Sequence, residues 1–478
     1  MSLLNRLASP VTLRGAVLVL AMTGVAAGCR VKSPPSVVDI QKQGMSHVVL
    51  PNAWTGAPGT TAAAAANWVL TFNDAQLSAL VTEALAYNPD LAVAATRLEQ
   101  ARLHAKLAGA AMWPSVEGMA RGGGQMSDGS GLSGGAITAS WELDLWGRVR
   151  YGRAAAGAAA AASEADFRFA QQALAATVAK SWILAVEARL QLAVAAELLK
   201  ASEDLIGLAE TRVRVGVGDE LEASVARADA GAYRDTVRRL ELARNQADRA
   251  LEVVVGRYPS GTLETGTTFP AFPGDLPAGL PSELLERRPD VIAAERRIAA
   301  AFFQVGQAKA ARLPRIALTG GVNSISSDLF LLADRDNPVW SFGANLLMPL
   351  FTGGALKTQV EIRTAEQKEA VANYALIGLR AFGDVEEAMA SELAMRDRER
   401  ILTAQLADSQ RALDLARTRY KVGSADLRVV DQRQIALDAN RSALLRVQAE
   451  QRVQRINLHL ALGGSFILPP TPPQAPVK

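Results

Sequence analysis

Few side chains in this sequence are arranged to make or break bonds. Histidine occurs three times, at His47, His104 and His459, and cysteine once, at Cys29. A lone thiol can form no intramolecular disulfide and no cysteine-built zinc site. No nucleophile–base pair, metal-ligand cluster or Gly-rich phosphate loop accompanies the scattered histidines, which argues against an enzyme. The charges that do stand in a pattern are carboxylates. Glu142 and Asp144 alternate with Trp141, Leu143 and Leu145, and Asp426, Arg428 and Asp431 follow closely on Val422-Gly423. Carboxylates on the wall of a wet passage act through their field, attracting cations and repelling anions. The bland reading of residues 426–433 is a solvated, salt-bridged helix surface. Asp219 and Glu222 stand at the corresponding place in the first half and admit the same two readings.

These residues need elements to hold them, and 478 residues with 49% hydrophobic content are enough to build cores. Lys plus Arg is 51 against 48 for Asp plus Glu, a net charge of +3. That balance carries no excess for a polyanion, so no nucleic-acid partner is expected. The first 28 residues read as a signal peptide. Arg6 and Arg14 precede an apolar stretch, residues 15–27, too short to span a bilayer. It ends in Val25-Ala26-Ala27-Gly28-Cys29, which resembles a bacterial lipobox, although Ala26 stands where Leu is commoner. The resemblance implies a covalent lipid on Cys29, with no metal or other cofactor, and Arg30 after it implies sorting to the outer membrane. Residues 29–70 then read as a lipidated, extended tail rich in Pro, Ser, Gly and Ala. No later stretch has ~18 uncharged apolar residues, so any membrane span must be a β-barrel.

The rest of the chain repeats. Asn88-Pro89-Asp90-Leu91 recurs 200 residues later as Arg288-Pro289-Asp290-Val291, and Trp113-Pro114 as Leu313-Pro314. Thr211-Arg212-Val213-Arg214-Val215-Gly216 recurs 207 residues later as Thr418-Arg419-Tyr420-Lys421-Val422-Gly423. The repeats are residues 71–258 and 281–464, joined by a Pro/Gly-rich linker at 259–280 and followed by a C-terminal tail at 465–478. Each copy opens with helices punctuated by Pro. A hairpin follows, at about 115–146 in the first copy and 315–351 in the second. The clearest strand pattern is 137–146, with period two over its whole length. Trp340, Phe342, Ala344, Leu346 and Met348 repeat it. Residues 148–213 and 357–420 contain no Pro and predict helices of roughly 90 Å, each ending at a Val-Gly turn before a second helix returns.

Four strands cannot close a barrel, because open edges in lipid leave backbone groups unsatisfied. Copies of the chain must therefore combine, and three would supply twelve strands. The polar face carrying Glu142 and Asp144 would then look into a water-filled lumen. On Trp141-Glu142-Leu143-Asp144-Leu145-Trp146-Gly147-Arg148, Arg287-Arg288-Pro289-Asp290-Val291, Gly306-Gln307-Ala308-Lys309-Ala310 and Arg419-Tyr420-Lys421-Val422-Gly423, the sequence resembles the TolC-type outer-membrane factor family, in its NodT-like efflux lipoprotein branch. The resemblance covers residues 72–464. It implies an α+β membrane protein: a homotrimer with a twelve-stranded outer-membrane β-barrel, four strands per chain, continued by a long periplasmic α-helical barrel. It implies an exit duct for small toxic compounds that works with a periplasmic adaptor and an inner-membrane pump, commonly of the resistance-nodulation-division class. Val215, Gly216, Val422 and Gly423 resemble the family's adaptor-docking tips, the alternative being plain helix-cap glycines. Asp426, Arg428 and Asp431 are the candidate gate. A type I protein-secretion conduit and a pore-free periplasmic coiled-coil lipoprotein are the rival readings.

Overall fold

The computed structural model describes residues 31–56, 67–121, 133–274, 281–326 and 339–464. The signal peptide, Cys29 and the C-terminal tail lie outside the described residues. Helix α1 (Val37–Gly44) and a 3-10 turn (Trp68–Phe72) precede the first copy, which runs α2 (Ala75–Tyr87), α3 (Pro89–Ala110), β1 (Ser115–Arg121), β2 (Ser133–Leu143), α4 (Arg148–Arg214) and α5 (Glu220–Val255). The second copy repeats that order as α6 (Pro281–Arg287), α7 (Pro289–Ala310), β3 (Arg315–Ser326), β4 (Val339–Leu347), α8 (Ala355–Lys421) and α9 (Leu427–Ala461). Pro89 and Pro289 both occupy the first position of a helix, where the missing N–H costs nothing. Helices α4 and α8 are each 67 residues long, about 100 Å at 1.5 Å per residue. Among the described residues no helix is long and apolar enough to cross a membrane.

The four strands form one antiparallel sheet in the order β1-β2-β3-β4, so β2 and β3 join the hairpins of the two copies. The register sorts side chains by character. One face collects Val116, Ile137, Ala139, Trp141, Leu143, Ile316, Leu318, Val322, Trp340, Phe342, Ala344 and Leu346. The other collects Ser115, Glu117, Thr138, Ser140, Glu142, Arg315, Thr319, Asn323, Ser341 and Asn345, with Met119, Ala136, Ala317, Val339 and Leu347 as apolar exceptions, while Ser324 falls on the apolar face. Every residue of β4 is exposed, Phe342 to 87%, so among the described residues nothing covers the apolar face there. Strand β2 starts four residues before the predicted position and stops at Leu143 rather than at Trp146. The Leu145 N–H turns back to the Leu143 carbonyl at 2.8 Å, which ends the ladder while the apolar alternation continues.

The chain divides into two compact units. One contains the sheet, with residues 96–165 and 292–377; the other draws on residues 49–95, 166–291 and the chain from 378 onward. The core of the second unit gathers Trp68, Phe72, Leu77, Leu80, Trp182, Ile183, Leu251, Val255 and Ile456. The Trp182 indole donates to Asp74 at 2.9 Å, satisfying its buried N–H.

Two segments expected to be plain coil are ordered. The N-terminal tail was predicted to be extended, but it contains α1, closed by a reciprocal capping box between Ser36 and Asp39. Gly44 lies against Val371 and Ala375 of α8. Further along, Trp54 packs on Phe382, and the Thr55 and Gly56 N–H groups donate to the Glu386 carboxylate at 3.0 and 2.7 Å. The described part of the linker, residues 259–274, is a docked strap. Its first N–H groups, on Gly261, Thr262 and Leu263, converge on the Glu252 carboxylate. At its far end Arg455 donates to the Pro273 and Gly274 carbonyls and lies 4.6 Å over the Phe272 ring. Arg455 is fully buried and makes a bidentate pair with Glu392.

Candidate functional site

The first candidate pair sits where β2 passes into α4. Glu142 lies on the polar face, opposite Ala317. Its carboxylate takes the Arg148 guanidinium through two bonds of 2.9 and 2.6 Å. Asp144 lies beyond the end of the strand, which corrects its placement among the barrel residues. It accepts the Val149 and Arg150 N–H groups at 3.0 and 2.8 Å and the Arg150 guanidinium at 3.1 Å. A carboxylate there satisfies N–H groups that the first helical turn leaves free and complements the positive end of the helix. Both charges serve to turn strand into helix. The Trp146 indole fixes the same corner by donating to the Pro314 carbonyl at 2.7 Å, and the Trp141 indole donates to Met112 at 3.0 Å. Trp113, Trp141 and Trp146 therefore stand together at the helix end of the sheet, the position of an interfacial aromatic belt.

The second candidate group sits at the tips. Each long helix ends in the same turn. Gly216 and Gly423 have φ of 78° and 75°. The residue after each donates back five positions, Val217 to Arg212 at 3.0 Å and Ser424 to Arg419 at 2.9 Å. This is a Schellman-type stop, which requires a left-handed residue. Asp219 and Asp426 then cap the returning helices through Leu221 and Arg428. Val215 and Val422 project as exposed apolar side chains, at 65% and 74%.

Between the two tips lies a cleft of about 620 Å³. Asp219, Glu222, Asp229, Asp426 and Asp431 line it, with Arg428 as its one lining cation, over an apolar floor that includes Leu205, Val225 and Leu427. The structure thus brings both candidate acids and their first-copy counterparts together. Asp426 is held below the usual carboxylate range by the Arg428 N–H and then by the Arg428 guanidinium, which it meets at 3.0 Å. Asp431 is pushed up, first by burial and then by Asp229, while the Tyr233 hydroxyl at 3.4 Å draws it back. Burial and the surrounding carboxylates push Tyr233 up as well. Among the described residues no three His, Cys, Asp or Glu side chains gather as a metal-ligand set.

Sequence reasoning missed Tyr233, Asp229 and the Arg212–Tyr420 contact, in which the guanidinium lies 5.0 Å over the ring and links the first long helix to the second. Arg212 and Tyr420 belong to the recognised repeats, but nothing in either repeat says that the two segments meet.

The family model for outer membrane efflux proteins matches residues 80–257 and 280–464. The cation efflux system protein CusC of Escherichia coli O6:H1 is 30% identical over 413 residues, 84% of this chain and 88% of that protein. The outer membrane protein OprJ of Pseudomonas aeruginosa is 31% identical over 447 residues, 87% of this chain and 90% of OprJ. Among solved structures, a CusC crystal structure superposes with a TM-score of 0.78 at 28% identity, covering 87% of this chain and 99% of the other. The open-state MtrE outer membrane channel of Neisseria gonorrhoeae gives 0.79 at 27% identity, covering 91% and 97%. The overall fold is thus shared with solved outer-membrane channels. The chain belongs to the outer membrane efflux protein family and is an outer-membrane efflux channel.

Proposed function

We propose that three copies of this chain close a twelve-stranded barrel and act as the exit duct of an efflux system. The observation that carries this reading is the sheet. Its register separates an apolar face from a polar one, and it presents two open edges, β1 and β4. An 11-residue strand such as β2 is about 35 Å long, enough to cross the hydrocarbon core at a tilt. In lipid, open edges leave N–H and C=O groups unpaired at several kcal/mol each, so β1 of one copy must find β4 of another. The apolar face then meets lipid and the polar face meets water. Planar-bilayer recording tests this: purified protein forms discrete water-filled channels, whereas a pore-free coiled-coil lipoprotein leaves the bilayer silent.

The duct itself changes no bonds and supplies no energy. A periplasmic adaptor docks on Val215, Gly216, Val422 and Gly423 and in the neighbouring cleft, and an inner-membrane pump, of the resistance-nodulation-division class, drives transport. Asp426, Arg428 and Asp431 gate the passage at the tips. The relative named for cation efflux and the one named for pyoverdine export are each 30% identical to this chain. One architecture accepting such different cargo supports leaving cargo selection to the pump.

A lipid on Cys29 anchors the assembly. The Lys32 N–H donates to the Tyr151 hydroxyl at 3.2 Å, in the first turn of α4 beside the tryptophan corner. Three residues reach about 10 Å, which keeps the acyl chains at the level of that aromatic belt. Replacing Cys29 by Ser abolishes labelling by radioactive palmitate if this reading holds.

A further inference from the structure

We propose that Glu117 sets the cation preference of the barrel lumen, an inference that rests on the closed barrel proposed above. The sequence pointed to Glu142 and Asp144 for this task, but Arg148 and Arg150 neutralise those two carboxylates. Among the described residues Glu117 has no such partner. It lies on the polar face of β1, opposite Thr138, and its row continues through Gly321 and Ser341. The next row toward the helices is Ser115, Ser140, Thr319 and Gly343, and the next one away is Met119, Ala136, Asn323 and Val339. None of these carries charge. Glu117 is exposed, and among the described residues its side chain makes no ion pair or hydrogen bond.

The basic residues of the sheet are distant. Arg315 stands at the helix end of β3, six rows from Glu117, about 20 Å along the strands. Arg121 stands four rows away in the other direction, about 13 Å. The Arg315 backbone thus stands more than twice the ~8 Å over which salt screens a charge at physiological ionic strength. Closing three chains places three Glu117 carboxylates at one height, midway along the barrel, among hydroxyls and glycines. A ring of uncompensated carboxylates at one level of a wet passage enriches cations there and depletes anions. Small neighbours leave the ring open to large solutes, so it sorts by charge and not by size.

The test is side-resolved block of single channels in planar bilayers by spermidine, a trivalent organic cation. Spermidine added on the barrel side reads the Glu117 ring. Glu117→Gln weakens barrel-side block about fivefold at 0.1 M salt and leaves tip-side block as in the wild type. Glu117→Lys abolishes barrel-side block. Glu117→Thr, which matches the facing Thr138, gives the same loss as Glu117→Gln and serves if that variant fails to insert. Wild-type barrel-side block in conducting Glu117→Gln and Glu117→Lys channels overturns the proposal. A wild-type protein that conducts nothing overturns instead the closed barrel on which the proposal rests.

Discussion

At the collar, where the returning helices end, the two copies make the same backbone contact with different chemistry. In the first, the Asn88 amide donates to the Val254 carbonyl at 2.8 Å. In the second, Arg288, 200 residues later, donates to the Ala461 carbonyl at 3.4 Å, the counterpart of Val254 at the 207-residue offset. Gly256 packs on Tyr87 and Asn88, and Gly463 on Arg287 and Arg288. Charges at equivalent positions have nonetheless reversed or vanished. Asp248 and Glu252 of the first copy correspond to Arg455 and His459 of the second. The strap supplies the reason. Glu252 takes the strap's N–H groups, and Arg455 takes its carbonyls. An anion suits donors and a cation suits acceptors, so the duplicated backbone persisted while the charges followed the strap.

The sharpest way to break that comparison is to unpair Arg455. Glu392→Ala leaves a fully buried guanidinium without its carboxylate and costs about 3–5 kcal/mol, read by thermal unfolding in detergent. The corresponding first-copy residue is already Ala185, so no equivalent loss exists there. Next come the collar glycines, at φ of 94° and 66°. A Cβ on Gly256 would meet the Tyr87 carbonyl oxygen at 2.7 Å, whereas one on Gly463 meets Arg288 only at 3.1 Å. Gly256→Ala therefore costs about 3 kcal/mol and Gly463→Ala about 1–2. Equal losses would show that the copies are not packed as described.

Acid separates the copies by a smaller amount. His459 is fully buried against Trp68, and burial, aided by Arg455, lowers its pKa to about 3. The unfolded chain binds the proton first, so stability falls as pH drops from the unfolded value near 6.5 toward 3. At pH 5 the loss is about 2 kcal/mol, and His459→Leu removes it. In the first copy, burial raises the Glu252 pKa, but backbone hydrogen bonds from the strap outweigh it and leave the pKa below the usual value. Its contribution is therefore intact at pH 5 and is lost only as pH falls below the ordinary carboxylate range. The smallest effect belongs to Asp248, whose carboxylate burial pushes up despite Arg244. Its folded form binds the proton more readily, so the charge opposes folding at pH 7. Asp248→Asn stabilises by less than about 1 kcal/mol there, and the gain disappears in acid.

Much of this architecture was legible in the sequence because it is periodic or repeated. Val-Gly at both tips, Pro at the start of α3 and α7, and alternation in β2 are local signals with local causes. The strand boundary was misread because Leu145 and Trp146 keep the alternation after the Leu145 N–H has turned back. Helix α1 was missed although Ser36 and Asp39 carry its capping box, since eight residues give too little period to see. The strap read as a linker because Arg452 and Arg455, which hold it through Pro270, Pro273 and Gly274, lie about 180 residues downstream. Glu142 and Asp144 looked like free lumen acids for a related reason. Arg148 and Arg150 are close in sequence, but only the turn at Leu143 folds them back onto the carboxylates.

The central claim is that β1 of one copy pairs with β4 of the next until three chains seal. Cysteines placed in pairs along residues 115–121 and 339–347, in a protein whose Cys29 is Ser, test it by oxidation in native membranes. The account predicts a ladder of monomer, dimer and trimer that stops at three chains, from pairs at matching heights only. Monomer alone at every pair, or a ladder running past three, would contradict it.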